Sequence, residues 1–380
     1  MDKLPILDLK RSYAGIKDEI RSALDLVFES QGFILGPEVR AFEEDAENYL
    51  DAKPKCSAIG CASGSDALLL ALMALDIGPG DEVVTTPYSF FATVSCITRI
   101  GATPVFADID PATYNIDIDK TKEKFTPKTK VFLPVHLFGQ MTPIEEIAQF
   151  CRERSVVVVE DAAQAFGSWR KVGSSITRAG VAGDVGCYSF FPTKNLGACG
   201  DAGLVTTSDS KLASRLRRLR VHGEGDTYFH EEVGLNSRLD AIQAAILRVK
   251  LRHLEEWNAE RRVLADNYRL LFESRNLTGH IAPPAELEGN FHIYHQYVVR
   301  AERRDELRAY LEGQGISARV YYPLPLHLQK CFAFLGLKKG DFPESEKLSQ
   351  DSLALPIFSG LKGEEQERLV KTIADFYKKF

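Results

Sequence analysis

Lys194 stands in the segment Ser189-Phe190-Phe191-Pro192-Thr193-Lys194-Asn195, where a short apolar run ends in an aromatic pair and a proline before presenting an amine. At the mouth of a sheet, among aromatic rings, an ammonium group loses hydration and gives up its proton more readily, which leaves a free amine able to condense with a carbonyl. The bland alternative is a solvated surface lysine, and this segment alone does not decide between them. Ser189 supplies a hydroxyl either for a phosphate or for nearby backbone.

Other segments raise related chemistry. In Val159-Glu160-Asp161-Ala162-Ala163-Gln164, Asp161 follows a buried apolar run, where its carboxylate could pair with a protonated ring nitrogen or cap the next helix. Gln164, one helical turn on, is within reach of a phenolic oxygen on the same ring. Cys61-Ala62-Ser63-Gly64-Ser65-Asp66 is a small-residue turn before a strongly apolar helix, either an ordinary cap or an anion cradle made of free amides at the helix N-terminus. In Thr86-Pro87-Tyr88-Ser89-Phe90-Phe91, Phe91 is expected to stack on the ring and Phe90 to join the core. Together these residues would hold an aromatic aldehyde phosphate, bind its phosphate and keep its ring protonated: the demands of pyridoxal 5'-phosphate.

Such residues need elements that bring them to one place. Strands are expected at 82–86, 104–108, 131–135, 156–160, 187–190 and 204–207, with helices at 66–75, 91–100, 143–153 and 211–221. The alternation predicts an α/β fold with a mostly parallel sheet, and the run Val156-Val157-Val158-Val159 predicts a central strand buried on both faces. In such sheets ligands bind beyond the carboxyl ends of the strands, which is where the candidate residues fall. A long charged helix is expected over 240–267. The domain reading is a 1–30 segment packing on the small domain, a 31–245 large cofactor-binding domain, and a 246–380 region comprising the linking helix and a small α+β domain.

Taken together the segments resemble the DegT, DnrJ, EryC1 and StrS family of nucleotide-sugar aminotransferases, which has the fold type I architecture. The similarity extends through Phe33-Ile34-Leu35-Gly36-Pro37-Glu38-Val39, Asp108-Ile109-Asp110-Pro111, His136-Leu137-Phe138-Gly139-Gln140 and Tyr322-Pro323-Leu324-Pro325-Leu326-His327. The resemblance implies that Lys194 carries the cofactor, Asp161 meets its ring nitrogen, Gln164 its phenolic oxygen, Gly64, Ser65 and Ser189 its phosphate, and Phe91 its face. It further implies a homodimer with shared sites, in which Asn236 reaches the phosphate of the neighbouring subunit. Arg238 would meet an anionic group on the substrate, or else pair with Asp240 or a nearby Glu. Tyr322 and His327 would close over the sugar, or form a packed corner. The implied reaction takes the amino group of L-glutamate and delivers it to a keto nucleotide-sugar. Gln164 points to C3 amination, of a UDP-linked 2-acetamido-3-keto-glucuronate or a dTDP-linked 3-keto-6-deoxyhexose. The alternatives are amination at C4 and a regulatory member without catalysis. Relatives that remove a hydroxyl have histidine at the lysine position, so Lys194 argues against that chemistry.

The 380-residue composition narrows the partners. A net charge of −6 and no basic run interleaved with aromatics exclude a nucleic-acid backbone as a natural ligand. No signal-peptide pattern opens the chain and no apolar stretch approaches a membrane span, so a cytoplasmic protein is expected. The seven cysteines lack metal-site spacing and are expected to be reduced and buried, with no metal bound.

Overall fold

Between residues 57 and 207, β-branched runs and apolar helices fold around one seven-stranded sheet. The structure is a computed structural model that describes residues 3–52 and 54–379. Its strands are β1 (Ser57–Cys61), β2 (Glu82–Thr85), β3 (Thr103–Phe106), β4 (Thr129–Phe132), β5 (Val157–Asp161), the hairpin β6 (Trp169–Val172) and β7 (Ser175–Arg178), then β8 (Val185–Ser189), β9 (Gly203–Thr207), β10 (Ile281–Ala282), β11 (Asn290–Phe291), β12 (Tyr297–Ala301) and β13 (Ser352–Leu355). Its helices are α1 (Leu9–Ser30), α2 (Pro37–Leu50), α3 (Gly64–Ala74), α4 (Ala92–Arg99), α5 (Ile118–Lys122), α6 (Glu145–Glu153), α7 (Ser210–Leu219), α8 (Ala241–Leu251), α9 (Leu254–Ser274), α10 (Arg304–Gly313), α11 (Pro343–Asp351) and α12 (Gly363–Tyr377).

The large sheet has the order β1-β9-β8-β5-β4-β2-β3. Neighbours from β8 to β3 pair in parallel, and β9 runs antiparallel to both β1 and β8. The carboxyl ends of β1, β2, β4, β5 and β8 therefore share one edge. β5 sits in the middle of the order, and the absence of polar alternation in its valines follows from being covered on both faces. Helix α3 is buried around much of its circumference, through Ala67, Leu68, Leu70, Ala71 and Leu72, so tertiary packing and not surface amphipathicity holds it.

The C-terminal half builds a second apolar cluster from Tyr268, Phe272, Tyr297, Val299, Leu307, Leu369 and Ile373, beneath the antiparallel strands β10, β12 and β13. Leu4 joins this cluster, whereas α1 lays Ile16 and Ile20 against Ile246 and Val249 of α8, and its end buries Val27 beside Phe42.

The single helix expected over 240–267 is two. The amides of Arg252 and His253 bond back only three residues, to Val249 and Lys250, which tightens and ends α8 before α9 begins. No proline or glycine marks the break; the halves diverge because α8 packs on α1 and α2 while α9 buries Leu264, Tyr268 and Phe272 in the C-terminal cluster.

Candidate active site

Beyond the end of β8 the chain enters an irregular loop that is fixed at several points. Phe190 is fully buried and its amide donates to Ala202 O, while the amide of Ala198 returns to Phe190 O at 2.8 Å. At Gly197 a Cβ would stand 2.4 Å from Pro192 O, so this turn closes only around glycine. Asn195 then secures the loop: its Nδ2 donates to Asn258 Oδ1 at 2.8 Å and to Ile293 O at 3.1 Å, and its Oδ1 accepts from His295 Nδ1 at 3.2 Å. Lys194 is thereby held half-buried, and loss of hydration lowers its amine to about 8 against the opposing pull of Asp161. That is the titration a carbonyl-condensing lysine needs near neutral pH.

Asp161 is the last residue of β5 and is 4% exposed. Its Oδ2 accepts from Thr93 Oγ1 at 2.7 Å and its Oδ1 from the amide of Ala163 at 3.2 Å. Burial raises its titration above the usual carboxylate range, opposed by those two donors and then by Lys194. The alternative reading of Asp161 as a helix cap fails, because residues 162–168 form turns and no helix follows. The preceding residue faces the other way. Glu160 accepts His136 Nε2 at 2.6 Å and the amides of Gly180, Ala182 and Gly183 at 2.6–2.7 Å. His136 in turn accepts the Thr142 amide at Nδ1, so its proton is on Nε2. This saturated carboxylate fixes the end of β5, and with it Asp161, to the approach of β8.

The anion cradle lies at the start of α3. Ser63 caps the helix by accepting the Asp66 amide at 3.1 Å, and its carbonyl accepts Ala67 N, so the first-turn amides of Gly64 and Ser65 have no helical acceptor. A Cβ at Gly64 would lie 2.5 Å from Ser189 Cβ, which brings the cradle and the Ser189 hydroxyl side by side. Gly203, opposite both Ser189 and Cys61 in the sheet, lets Ser63 O approach to within 2.3 Å of where a Cβ would sit. Bare amides, a positive helix end and a hydroxyl suit a phosphate. Together with Lys194 and Asp161 they fit pyridoxal phosphate.

Gln164 lies on a turn, not one turn along a helix. Its Oε1 accepts the Phe138 amide at 2.7 Å and its Nε2 donates to Tyr322 Oη at 3.1 Å, which brings Tyr322 to the site. Tyr322 is oriented by its own amide, which donates to Tyr88 Oη. Phe91 is 43% exposed and stacked on Phe332, with centroids 5.3 Å apart. Phe90, expected in the core, is instead 57% exposed, because it occupies the bend before α4 while Ala92, Val94, Cys96 and Ile97 take the inward positions.

His327 is not brought to the other residues. It is 2% exposed, bonds Glu346 Oε1 at 3.2 Å and packs on Phe342, because the Leu326–Leu328 turn is drawn into an apolar corner with Phe332. Asn236 is exposed, on a segment anchored by Ser237, whose hydroxyl donates to Asp66 of α3. Arg238 makes no ion pair with Asp240 or any other described residue. Five cysteines are buried as expected, whereas Cys199 and Cys331 are exposed. Among the described residues no cluster suited to a metal occurs, and no helix is long and apolar enough to cross a membrane. Thr93 and Asn195 escaped the sequence reading: a threonine inside an apolar helix and an asparagine after a lysine carry no local signal of what they touch.

Comparison with known proteins agrees with this geometry. Residues 14–374 match the model of the DegT/DnrJ/EryC1/StrS aminotransferase family. The chain belongs to that family. It is an aminotransferase with the fold type I architecture. It is 49% identical to a pleiotropic regulatory protein of Geobacillus stearothermophilus, over 99% of both chains. It is 39% identical to the UDP-N-acetyl-3-dehydro-alpha-D-glucosamine 3-aminotransferase of Acidithiobacillus ferrooxidans, over 97% of both. The solved structure of S. venezuelae DesV in complex with a ketimine intermediate superposes with a TM-score of 0.94, at 36% identity and 99% coverage of each chain.

Proposed function

We propose that this sugar aminotransferase transfers the amino group of L-glutamate to the C3 carbonyl of a nucleotide-linked keto sugar, as one of two identical subunits that share their sites. The observation that carries the reading is Lys194: an amine held half-buried at the sheet edge, titrating near 8, beside the buried carboxylate of Asp161. The cofactor is pyridoxal 5'-phosphate, which when bound supplies a carbonyl for amine exchange and a ring that takes up the electrons of a carbanion.

The chain's own residues do the rest. Gly64, Ser65 and Ser189 hold the phosphate, Phe91 covers one face of the ring and Gln164 meets its phenolic oxygen. Asp161 keeps the ring nitrogen protonated. Lys194, released when the donor amine takes its place, is the base that removes the donor Cα proton and the acid that returns one in the second half. Asn236 completes the phosphate site of the partner subunit. The exposed side chains of Tyr228, Phe229 and Val233, on the same 222–236 stretch, support that reading, because so much apolar surface on one loop calls for a cover.

For the substrate, Gln164 and the likeness to an enzyme of a 3-dehydro sugar support C3. Arg238, free of ion pairs among the described residues, supports an acidic group such as the uronate carboxylate. The test is direct: pure enzyme with glutamate is offered UDP-linked 2-acetamido-3-keto sugars with and without the carboxylate, a dTDP-linked 3-keto-6-deoxyhexose and a 4-keto nucleotide-sugar. Amino sugar and 2-oxoglutarate are expected from a 3-keto sugar. Turnover of the 4-keto sugar alone would end the C3 assignment.

A further inference from the structure

Resting on the reading that Asp161 serves a pyridine nitrogen, we propose that Ser89 and Thr93 form a one-way chain of hydroxyls that keeps Asp161 ionised and aimed, with Thr93 as its positioning residue. The directions of the bonds follow from proton counting. An ionised carboxylate only accepts, so the single hydroxyl proton of Thr93 goes to Asp161 Oδ2 at 2.7 Å. Thr93 Oγ1 is then left to accept, and the Ser89 hydroxyl 2.8 Å away must be its donor. Each bond polarises the next, and the arrangement is dry: Ser89 is 3%, Thr93 0% and Asp161 4% exposed. Thr93 is β-branched and lies in the first turn of α4, which limits the places its Oγ1 can occupy, and its bonds to Asp161 and Ser89 set the direction of its O–H.

Reversing the chain is costly. A proton on Oδ2 would have to be given to Thr93, and Thr93 would then give its own to Ser89. The Ser89 hydroxyl bonds no other described residue, so it would be left as a buried donor without an acceptor. A proton on Oδ1 would confront the Ala163 amide, which already donates there. The other titratable groups acting near Asp161 are Lys194 from the loop after β8, His136 from beyond β4, Cys96 on α4, Cys187 on β8 and Tyr322 from the C-terminal half. Of these, Lys194 is the cation whose charge comes and goes in the reaction. The hydroxyl chain on Oδ2, with the Ala163 amide on Oδ1, is support for the carboxylate that does not change.

The test compares Thr93→Val, which keeps the shape and removes the hydroxyl, with Thr93→Ser, which keeps the hydroxyl, and Ser89→Ala, which removes the far donor. The first readout needs no cofactor: the Asp161 carboxyl is titrated by carbon NMR in the full-length apoprotein. Thr93→Val is expected to raise the midpoint by about one pH unit, a tenfold change in ionisation ratio. Ser89→Ala should raise it less, and Thr93→Ser should match wild type. The second readout is pyridoxal phosphate affinity against pH, where Thr93→Val should bind about tenfold more weakly and lose binding at a higher pH on the acid side. A midpoint unmoved in Thr93→Val, or moved equally in Thr93→Ser, overturns the proposal. A loss of thermal stability alone, with the midpoint unchanged, does the same. Should Thr93→Val not fold, an unmoved midpoint in Ser89→Ala overturns it. Failure of the wild-type protein to bind pyridoxal phosphate would strike the aminotransfer reading, while the apoprotein titration would still judge the chain.

Discussion

Lys194 differs from the other lysines in what surrounds it, and the difference is measurable. Only the unprotonated amine adds to a carbonyl, so trapping of Lys194 by an aldehyde and a mild hydride donor should rise with pH and level off above about 8. A lysine of ordinary titration would still be rising there, toward about 10.4. Mass spectrometry of the trapped protein across pH separates the two. Lys194→Arg keeps a cation but cannot condense, so trapping at this position should vanish and the cofactor-loaded protein should lose the Schiff-base band and keep only that of the free aldehyde. The types of the site's residues were readable from the chain: a lysine after an aromatic pair, an acid after a buried run, a Ser-Gly-Ser turn. What they touch was not. Thr93 bonds Asp161 across 68 positions of sequence, and whether His327 closes over a ligand or sits in a packed corner was open until the packing of Phe342 beside it was visible.

At the scale of elements, the site depends on how closely the start of α3 approaches the end of β8. Gly64→Ala would drive a methyl to within 2.5 Å of Ser189 Cβ, and neither partner is a flexible side-chain tip. The expected result is a folded protein whose affinity for pyridoxal phosphate falls at least about tenfold, read by equilibrium dialysis, because the helix end must retreat from the phosphate. The strands and helices around this edge were legible because their patterns are: four valines at 156–159 lead into β5, and α3 is a run of leucines and alanines. The division of 240–267 was not legible. Helix-forming residues continue through Arg252 and His253, and only the divergent packing of α8 and α9 forces the chain to turn.

For the whole molecule, sharing of sites between subunits is testable by mixing. Lys194→Ala and Asn236→Ala proteins, each inactive alone, are unfolded together and refolded. If Asn236 serves its neighbour, half the dimers are mixed and each has one intact site out of two, so activity should return to about a quarter of wild type. If Asn236 serves its own subunit, no mixed dimer has an intact site and nothing returns. Arg238 belongs to the same scale: Arg238→Ala should raise KM more for a sugar with a carboxylate than for its neutral counterpart, by steady-state kinetics. The amide of Asn195 has a further consequence. It ties the lysine loop to Asn258 of α9 and to Ile293 and His295, outside the sheet that carries Asp161 and the phosphate cradle. The amine is therefore held from two sides, by the sheet-bound ends of its own loop and by α9 with the 293–295 segment. Loss of the Asn195 amide leaves the sheet-side ties in place, so Asn195→Ala is expected to loosen the aim of the Lys194 amine without freeing the loop.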